Sequence, residues 1–461
     1  MAMNPNAGAD RMGTMPVGKL LLSMAVPMML SMMVQAFYNV VDSIFVAKLS
    51  EDALTAVSLA FPVQNIMIAI AVGIGVGVSA LISRMLGMGD QEQANKLAMQ
   101  GYLLSTISVV VFIVIGLFLS EPFATSQVDM SADNALAIRD GCVEYLSIVC
   151  IGSAGLFYQC LEEKLFSATG KSMYTMILQM SGAIINIILD PIMIFGLFGC
   201  PAFGIAGAAY ATIIGQIVGV LLGLILCIKK NTDLHLDVKL MKPDFGKMAA
   251  VLKISIPSIL MSAIGSLLTY VLNIILITFS STAVAAYGSY FKLQSFIFMP
   301  IFGLNNGMVP VIAYNYGAGN RERIHQTVKI SMISAVCIML FGLAVFNFFP
   351  EQLLMLFSAS EDMLAIGVPA LKTISLSFSF AGICIISGSV CQAFGYAFYS
   401  LGTSIARQIV VLLPCIYLLS LTGSVDNIWY AWPIAEIMSL AVSLFFLRRV
   451  FHKTGMSLKK A

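Results

Sequence analysis

The sequence predicts an all-α membrane protein, with twelve transmembrane helices in two six-helix lobes related by a parallel internal repeat. Three observations point there. Of 461 residues, 59% are hydrophobic and 10% charged, with a mean hydropathy of +0.93, whereas soluble domains carry roughly a quarter charged residues. Apolar runs close to the ~20 residues that a spanning helix needs recur twelve times along the chain. The second half also repeats landmarks of the first at a near-constant offset.

Set against their polar breaks, the runs fall near 17–47, 53–83, 97–119, 139–168, 172–196, 203–228, 248–278, 283–314, 326–348, 364–394, 398–421 and 428–450. Gly, Ser, Asp and Asn fill the short breaks, as tight reversals require. An even number of spans puts both termini on one side. Taking that side as cytoplasmic places Arg11, Lys19, Arg84, Lys96, Lys171, Lys229, Lys230, Lys239, Lys242, Lys247, Arg321, Arg323, Arg448, Arg449, Lys453, Lys459 and Lys460 inside. The opposite connections hold Glu51, Asp52, Glu121, Asp129, Glu361, Asp362 and Asp426. That is the positive-inside pattern, and solvation of turns does not explain the alternation of sign.

The expected organisation is a cytoplasmic tail at 1–16, an N-lobe at 17–228 (spans 1–6), a charged cytoplasmic linker at 229–247, a C-lobe at 248–450 (spans 7–12) and a cytoplasmic tail at 451–461. Residues 1–17 are polar and contain no short apolar stretch ending in a small-residue cleavage site. The first apolar segment is therefore expected to be kept as a span.

A shift of 230 residues, without a gap, sets Pro27 on Pro257, Ala56 on Ala286, Phe61 on Phe291 and Gln64 on Gln294. It also sets Gly73 and Gly77 on Gly303 and Gly307, and Gly87, Gly89 and Glu92 on Gly317, Gly319 and Glu322. Further on, S-A-T-G-K-S-M-Y (167–174) meets Q-A-F-G-Y-A-F-Y (392–399), and A-T-I-I-G-Q (211–216) meets A-W-P-I-A-E (431–436). Six spans per repeat give the halves one topology. Parallel repeats of this kind are a feature of transporters, with the substrate path expected at their interface.

Other classes are disfavoured. Nine cysteines show no C-x-x-C pair or metal spacing, and most fall in apolar runs, where free Cys acts as a small hydrophobe. His235, His325 and His452 fall in polar loop or tail segments, so neither a haem nor a His-bound metal is expected in the membrane. A-T-G-K-S-M (168–173) resembles the end of a phosphate loop, but Leu165 stands where a glycine belongs and spans flank it. No ATPase subunit, organic cofactor or nucleic-acid partner is expected, and no catalytic constellation suggests an enzyme.

Ionisable groups inside a membrane cost about 2.5–3.5 kcal/mol at a helix centre and mark function by default. Asp42 and Asp190 lie in spans 1 and 5, each one to two turns short of the outer end. On the face of Asp42, Tyr38 and Asn39 lie one turn below and Gln35 two turns below. Asn186 shares the face of Asp190, and Pro191 frees the Ile187 carbonyl, because proline has no N–H to give. Span 6 brings Thr212 to the same level. Asp42, Asn186, Asp190 and Thr212 are thus a candidate coupling-ion site, a small hard cation such as Na⁺ or a proton being the occupant. The competing reading is a static interhelical hydrogen-bond network. The second half lacks both acids: Leu272 stands opposite Asp42, and 410–415 carries none.

Gln35, Tyr38, Asn39, Gln64, Lys292 and Gln294 are candidates for the substrate cavity, with Lys292 equally suited to snorkelling at the outer interface. Glu162, Glu163 and Lys164 read as a solvated or self-paired cluster at the cytoplasmic end of span 4, and Glu436 as a packing residue more than a transport residue. Among the in-span prolines (27, 62, 191, 257, 300, 310, 414 and 433), the matched Pro27 and Pro257 are the hinge candidates. Met28, Met29, Met32 and Met33 in span 1 suit a pliable wall, but plain apolar filler is as good a reading.

With these residues in view, the chain resembles the multidrug and toxic compound extrusion (MATE) family, most closely its MepA-like bacterial branch. The likeness rests on Q-A-F-Y-N-V-V-D-S-I-F-V-A (35–47), G-I-G-V-G-V-S-A-L-I-S-R-M-L-G-M-G-D (73–90), N-I-I-L-D-P-I-M-I-F-G (186–196) and F-G-I-A-G-A-A-Y-A-T-I-I-G-Q (203–216). The resemblance implies a two-lobed exporter of amphipathic, often cationic compounds, working by alternating access in exchange for Na⁺ or H⁺. It maps the family's N-lobe acids onto Asp42 and Asp190, with Asn186 and Thr212 as polar ligands. It implies a monomer in the bacterial cytoplasmic membrane. The alternative within the superfamily, a lipid-linked oligosaccharide or lipid flippase, would carry more spans and a more cationic cavity.

Overall fold

The computed structural model describes residues 8–128, 134–357 and 359–456. Asp129, Lys459 and Lys460, used above for orientation, lie outside the described residues. Among the described residues every regular element is helical. In chain order they are α1 (Gly8–Thr14), α2 (Val17–Ala47), α3 (Glu51–Gly87), α4 (Gln91–Phe118), α5 (Ser120–Gln127), α6 (Ala135–Ile151) and α7 (Ala154–Ala168). There follow α8 (Ser172–Phe195), a 3-10 helix at Leu197–Gly199, α9 (Ile205–Lys230), a 3-10 helix at Val238–Leu240, α10 (Phe245–Ile277), α11 (Ser281–Gly317), α12 (Arg321–Phe348) and α13 (Pro350–Met355). The chain closes with α14 (Glu361–Ser375), α15 (Phe378–Ala393), α16 (Ala397–Ile405), a π-helix at Ala406–Leu412, α17 (Leu413–Ser420), α18 (Val425–Ile428) and α19 (Ala431–Lys453). In hydrocarbon every backbone polar group must be satisfied within its own segment, which is why apolar runs of this length become helices.

Among the described residues ten helices are long and apolar enough to cross a membrane, and twelve spans result when each of two bent pairs is one span. Those pairs, α6–α7 (46°) and α14–α15 (50°), are where spans 4 and 10 were expected to run unbroken. At the first break, Ser153 N–H returns to Cys150 O in an i→i+3 bond, and at the second, Ser377 N–H returns to Ile374 O. The turn tightens there and the axis changes direction. Gly152 has a further reason, because a Cβ on it would overlap the Ile213 side chain at 2.2 Å.

The compact units do not follow the chain. One contains Leu30–Ile259; the other contains Gly13–Met29 together with Leu260 onward. The expected division at linker 229–247 is sequential, whereas the packing exchanges the first part of α2 for the first part of α10. Pro27 and Pro257 stand two residues short of these exchange points.

Within each unit the incoming half-helix lies on a pair of glycines. In the first, a Cβ on Gly73 would stand 3.1 Å from Ser255 O, and one on Gly77 would stand 2.8 Å from Val251 O. In the second, Cβ atoms on Gly303 and Gly307 would stand 2.6 Å from Met29 Cα and 2.9 Å from Ala25 Cα. The 230-residue shift carries Ala25 onto Ser255 and Met29 onto Ile259, so the two seams are copies. Small residues four apart let helix backbones approach closely in a membrane.

Polar latches hold the segments leading into these half-helices. In the second unit, Arg323 donates from Nη2 to Met15 O (2.7 Å) and from Nε to Asn315 Oδ1 (3.2 Å). In the first, Gln100 donates to Lys242 O (2.8 Å) and accepts from Asp244 N–H (3.0 Å). Asp244 also caps the start of α10 through Lys247 N–H (3.1 Å), and the Lys247 ammonium holds its carboxyl below the usual carboxylate range. Deeper in the linker, Lys171 and Asp233 pair at 2.9 Å with both side chains nearly buried. The linker is a fitted strap on the first unit.

Gly307→Ala is expected to cost about 1–3 kcal/mol, the usual penalty of overpacking. Gly288→Ala, on the same helix with open space around the added methyl, is expected to be neutral or slightly stabilising. Apparent melting temperatures of the two variants in detergent check this.

Candidate functional site

The site is assembled by α2, α8 and α9 within the first unit. α8 stays helical through Pro191, so Asn186 and Asp190 share one face. α9 comes close because Gly215 and Gly207 carry no side chain: a Cβ on Gly215 would stand 2.7 Å from Gly182 O, and one on Gly207 would stand 2.5 Å from Met193 O. That approach brings Thr212 to Asn186. Asn186 Nδ2 donates to Asp190 Oδ1 (3.2 Å) and to Thr212 Oγ1 (3.3 Å), and Thr212 passes its own proton to Ala208 O (3.0 Å). Asp190 is fully buried. The Asp42 carboxyl faces it within hydrogen-bonding reach.

The donor count does not close. Asn186 has two amide protons and both are spent. Asp42 Oδ1, Asn186 Oδ1 and Asp190 Oδ2 are buried with no hydrogen-bond partner. Orphaned buried acceptors are costly, and two facing carboxylates cannot both stay ionised unaided. A shared proton or a small cation answers both problems, and an all-oxygen set of two carboxylates, one amide and one hydroxyl suits a hard ion. Among the described residues no group of three or more His, Cys, Asp or Glu could hold a metal. The oxygens of Asp42, Asn186, Asp190 and Thr212 are hard donors, without the thiolate or imidazole ligands that transition metals favour.

The remaining candidates divide. Tyr38 lies within electrostatic range of Asp42 and Asp190. Gln64 stands close to Tyr145, which is also near Asp42. Gln35 is engaged by Gln179 Nε2 at 2.7 Å, and Asn39 is exposed. Lys292 and Gln294 belong to the second unit, where Lys292 Nζ stands 5.8 Å from the centroid of the Phe357 ring. Tyr145 and Gln179 went unnoticed in the sequence, since both come from other spans and only their polarity marks them.

Two expectations are corrected. Of the solvated or self-paired cluster expected at 162–164, the solvated reading fails, since Glu162 and Lys164 are buried, while Lys164 lies within electrostatic range of Glu163. Gly223 and Gly75 make room for Glu162 and Lys164, since a Cβ there would stand 2.0 Å from Glu162 Oε2 and 2.6 Å from Lys164 Cγ. Tyr102 donates to Glu162 at 3.3 Å and Gln159 to Glu163 at 3.1 Å. His325, expected in a polar loop, sits in the first turns of α12, buried edge-on to Phe451 at 5.5 Å between ring centroids.

The MatE family profile matches residues 27–192 and 257–418. The chain is 28% identical over 443 residues to the FAD transporter of Shewanella oneidensis, covering 95% of this chain and 96% of that one. It is 29% identical over 433 residues to the multidrug export protein MepA of Staphylococcus haemolyticus, covering 93% of each. Among solved structures it superposes on a multidrug resistance MATE family transporter of the MOP superfamily in its outward-facing conformation. That match has a TM-score of 0.89 and 25% identity, over 99% of this chain and 100% of the other. A MATE structure in a straight conformation gives a TM-score of 0.90 at 25% identity, over 98% and 100%.

Raising Na⁺ in place of choline, or lowering pH, is expected to stabilise the purified protein, by about 2.7 kcal/mol at a hundredfold excess over Kd. Asp190→Asn is expected to abolish the response and Thr212→Ala to shrink it. Thermal shifts under both titrations read the outcome.

Proposed function

The chain belongs to the MatE family, and from that premise we propose that it is a secondary active exporter of amphipathic organic compounds, often cationic, working by antiport with Na⁺ or H⁺. It acts as a monomer in the bacterial cytoplasmic membrane with both termini inside, without an ATPase subunit or organic cofactor. The observation that carries the reading is the set of orphaned oxygens on Asp42, Asn186 and Asp190, buried in one unit and lacking the donors that a static network would supply. The relatives named for multidrug export support the substrate class.

Coupling follows from charge. With an ion bound, one of the two negative charges on Asp42 and Asp190 is offset, and the form that releases substrate outward is favoured. When the ion leaves, the carboxylates regain charge, and return with new substrate is favoured. An ion shifts such an equilibrium only by its different affinity for the two states. Asn186 orients Asp190 and Thr212 closes the oxygen set, while Pro27 and Pro257, where half-helices change unit, are the hinges.

In proteoliposomes, an imposed Na⁺ or proton gradient is expected to drive efflux of a fluorescent organic cation. Asp42→Asn and Asp190→Asn are expected to insert normally and to cut gradient-driven efflux at least ~100-fold, since the reorganisation each coupling step needs is worth a few kcal/mol. Full efflux by either variant contradicts the assignment.

A further inference from the structure

The second unit lacks acids opposite Asp42 and Asp190, but it is not without buried charge. Arg407 donates from Nη1 to Glu436 Oε1 at 2.8 Å, joining the π-helix to α19. The Glu436 side chain is 8% exposed and Arg407 28%. The backbone gives this pair its place. Pro414 has no N–H for the carbonyl four residues back and its ring crowds that carbonyl, and the wide turns of Ala406–Leu412 come just before it. A π-segment is rare and turns side chains away from their α-helical directions, frequently at functional sites. Gln408, next in the segment, is tied to Ser404 Oγ at 2.8 Å, which stiffens the turn that carries the guanidinium.

The bonding of Arg407 is incomplete. Nη1 is committed to Glu436, and that single bond is its one hydrogen bond among the described residues. Nε and Nη2 remain, and these two N–H groups form the side-on fork that matches carboxylate and phosphate oxygens. Arg407 lies ten residues into the span Ala397–Ser420, about 15 Å along a helix and so near the middle of a ~30 Å hydrocarbon layer. Hydrocarbon cannot satisfy an open guanidinium edge at that depth, and charged groups there face a polar ligand or a water-filled cavity. Glu436 holds the plane of the fork and offsets its charge when no ligand is present.

We propose that Arg407 is a recognition residue for an anionic group, carboxylate or phosphate, on the transported molecule, and that Glu436 is its positioning partner. The substrates then include zwitterionic and anionic amphiphiles beside cations. The inference rests on the transport reading for the role of the ligand, while its binding step is measurable alone.

Rhodamine B, with a free benzoate, and rhodamine B ethyl ester, with that charge masked, are suitable probes. Dye binding to the purified full-length protein in detergent, with no gradient, reads recognition. Arg407→Gln is expected to weaken rhodamine B binding at least about tenfold, as loss of a charged hydrogen-bond pair does, and to weaken the ester less than threefold. Arg407→Lys, which keeps the charge without the fork, is expected to fall between wild type and Arg407→Gln for rhodamine B. Equal losses for both dyes, no loss for rhodamine B, or wild-type protein that binds the ester alone would each overturn the proposal. Failure of both dyes to move under ion gradients, with the binding pattern intact, would count against the transport reading instead.

Discussion

Two carboxyl groups held face to face inside a helical bundle set the conditions that the first unit has to meet. Each would be cheap in water. Buried, they demand donors, and Asn186 has only two to give. Among the described residues no lysine or arginine forms an ion pair with either carboxylate, as a static arrangement would require. Asp42 Oδ1, Asn186 Oδ1 and Asp190 Oδ2 are left without partners. Those open acceptors are what the proposed exchangeable ion would satisfy, and the glycines of α9 that let Thr212 approach belong to the same arrangement.

The second dependence is between the two copies of the repeat. Gly73 with Gly77, and Gly303 with Gly307, each receive a half-helix that begins in the other half of the sequence. Because α2 starts in one unit and ends in the other, Asp42 stands on a helix whose first turns belong elsewhere. Asp42 thus stands on an element shared by both units, with Pro27 beside the exchange point as the proposed place to bend. The second copy keeps the glycine seam but has Leu272 opposite Asp42, and its buried ion pair, Arg407 with Glu436, stands at other positions of the repeat. The scaffold is repeated, and the chemistry is not.

Much of this was legible in the sequence. Hydropathy and sign alternation gave the spans, and a constant shift gave the repeat, because packing against a neighbouring backbone tolerates only glycine at the same places in each copy. Asp42 and Asp190 stood out since charge is rare in apolar runs, and Asn186 followed from helical spacing. What stayed hidden depends on tertiary contact. The exchange of half-helices has no local signature, since Gly77 reads as a small residue until Val251 is beside it. Arg407 and Glu436 lie 29 positions apart, and neither the widened turn before Pro414 nor the pairing follows from periodicity. Burial of Glu162 and Lys164 was missed because their place at a span end suggested water, while the glycines that admit them come from α9 and α3.

On the proposed mechanism, Asp42 and Asp190 form one site whose ion leaves when substrate is taken up. The most direct measurement is ion release from purified protein in lightly buffered detergent, by pH electrode and by ²²Na⁺, on addition of a transported dye. Wild-type protein is expected to give up a proton or Na⁺ as dye binds, and Asp42→Asn/Asp190→Asn to bind dye without release. Equal release from the double variant would place the coupling ion elsewhere and contradict the account.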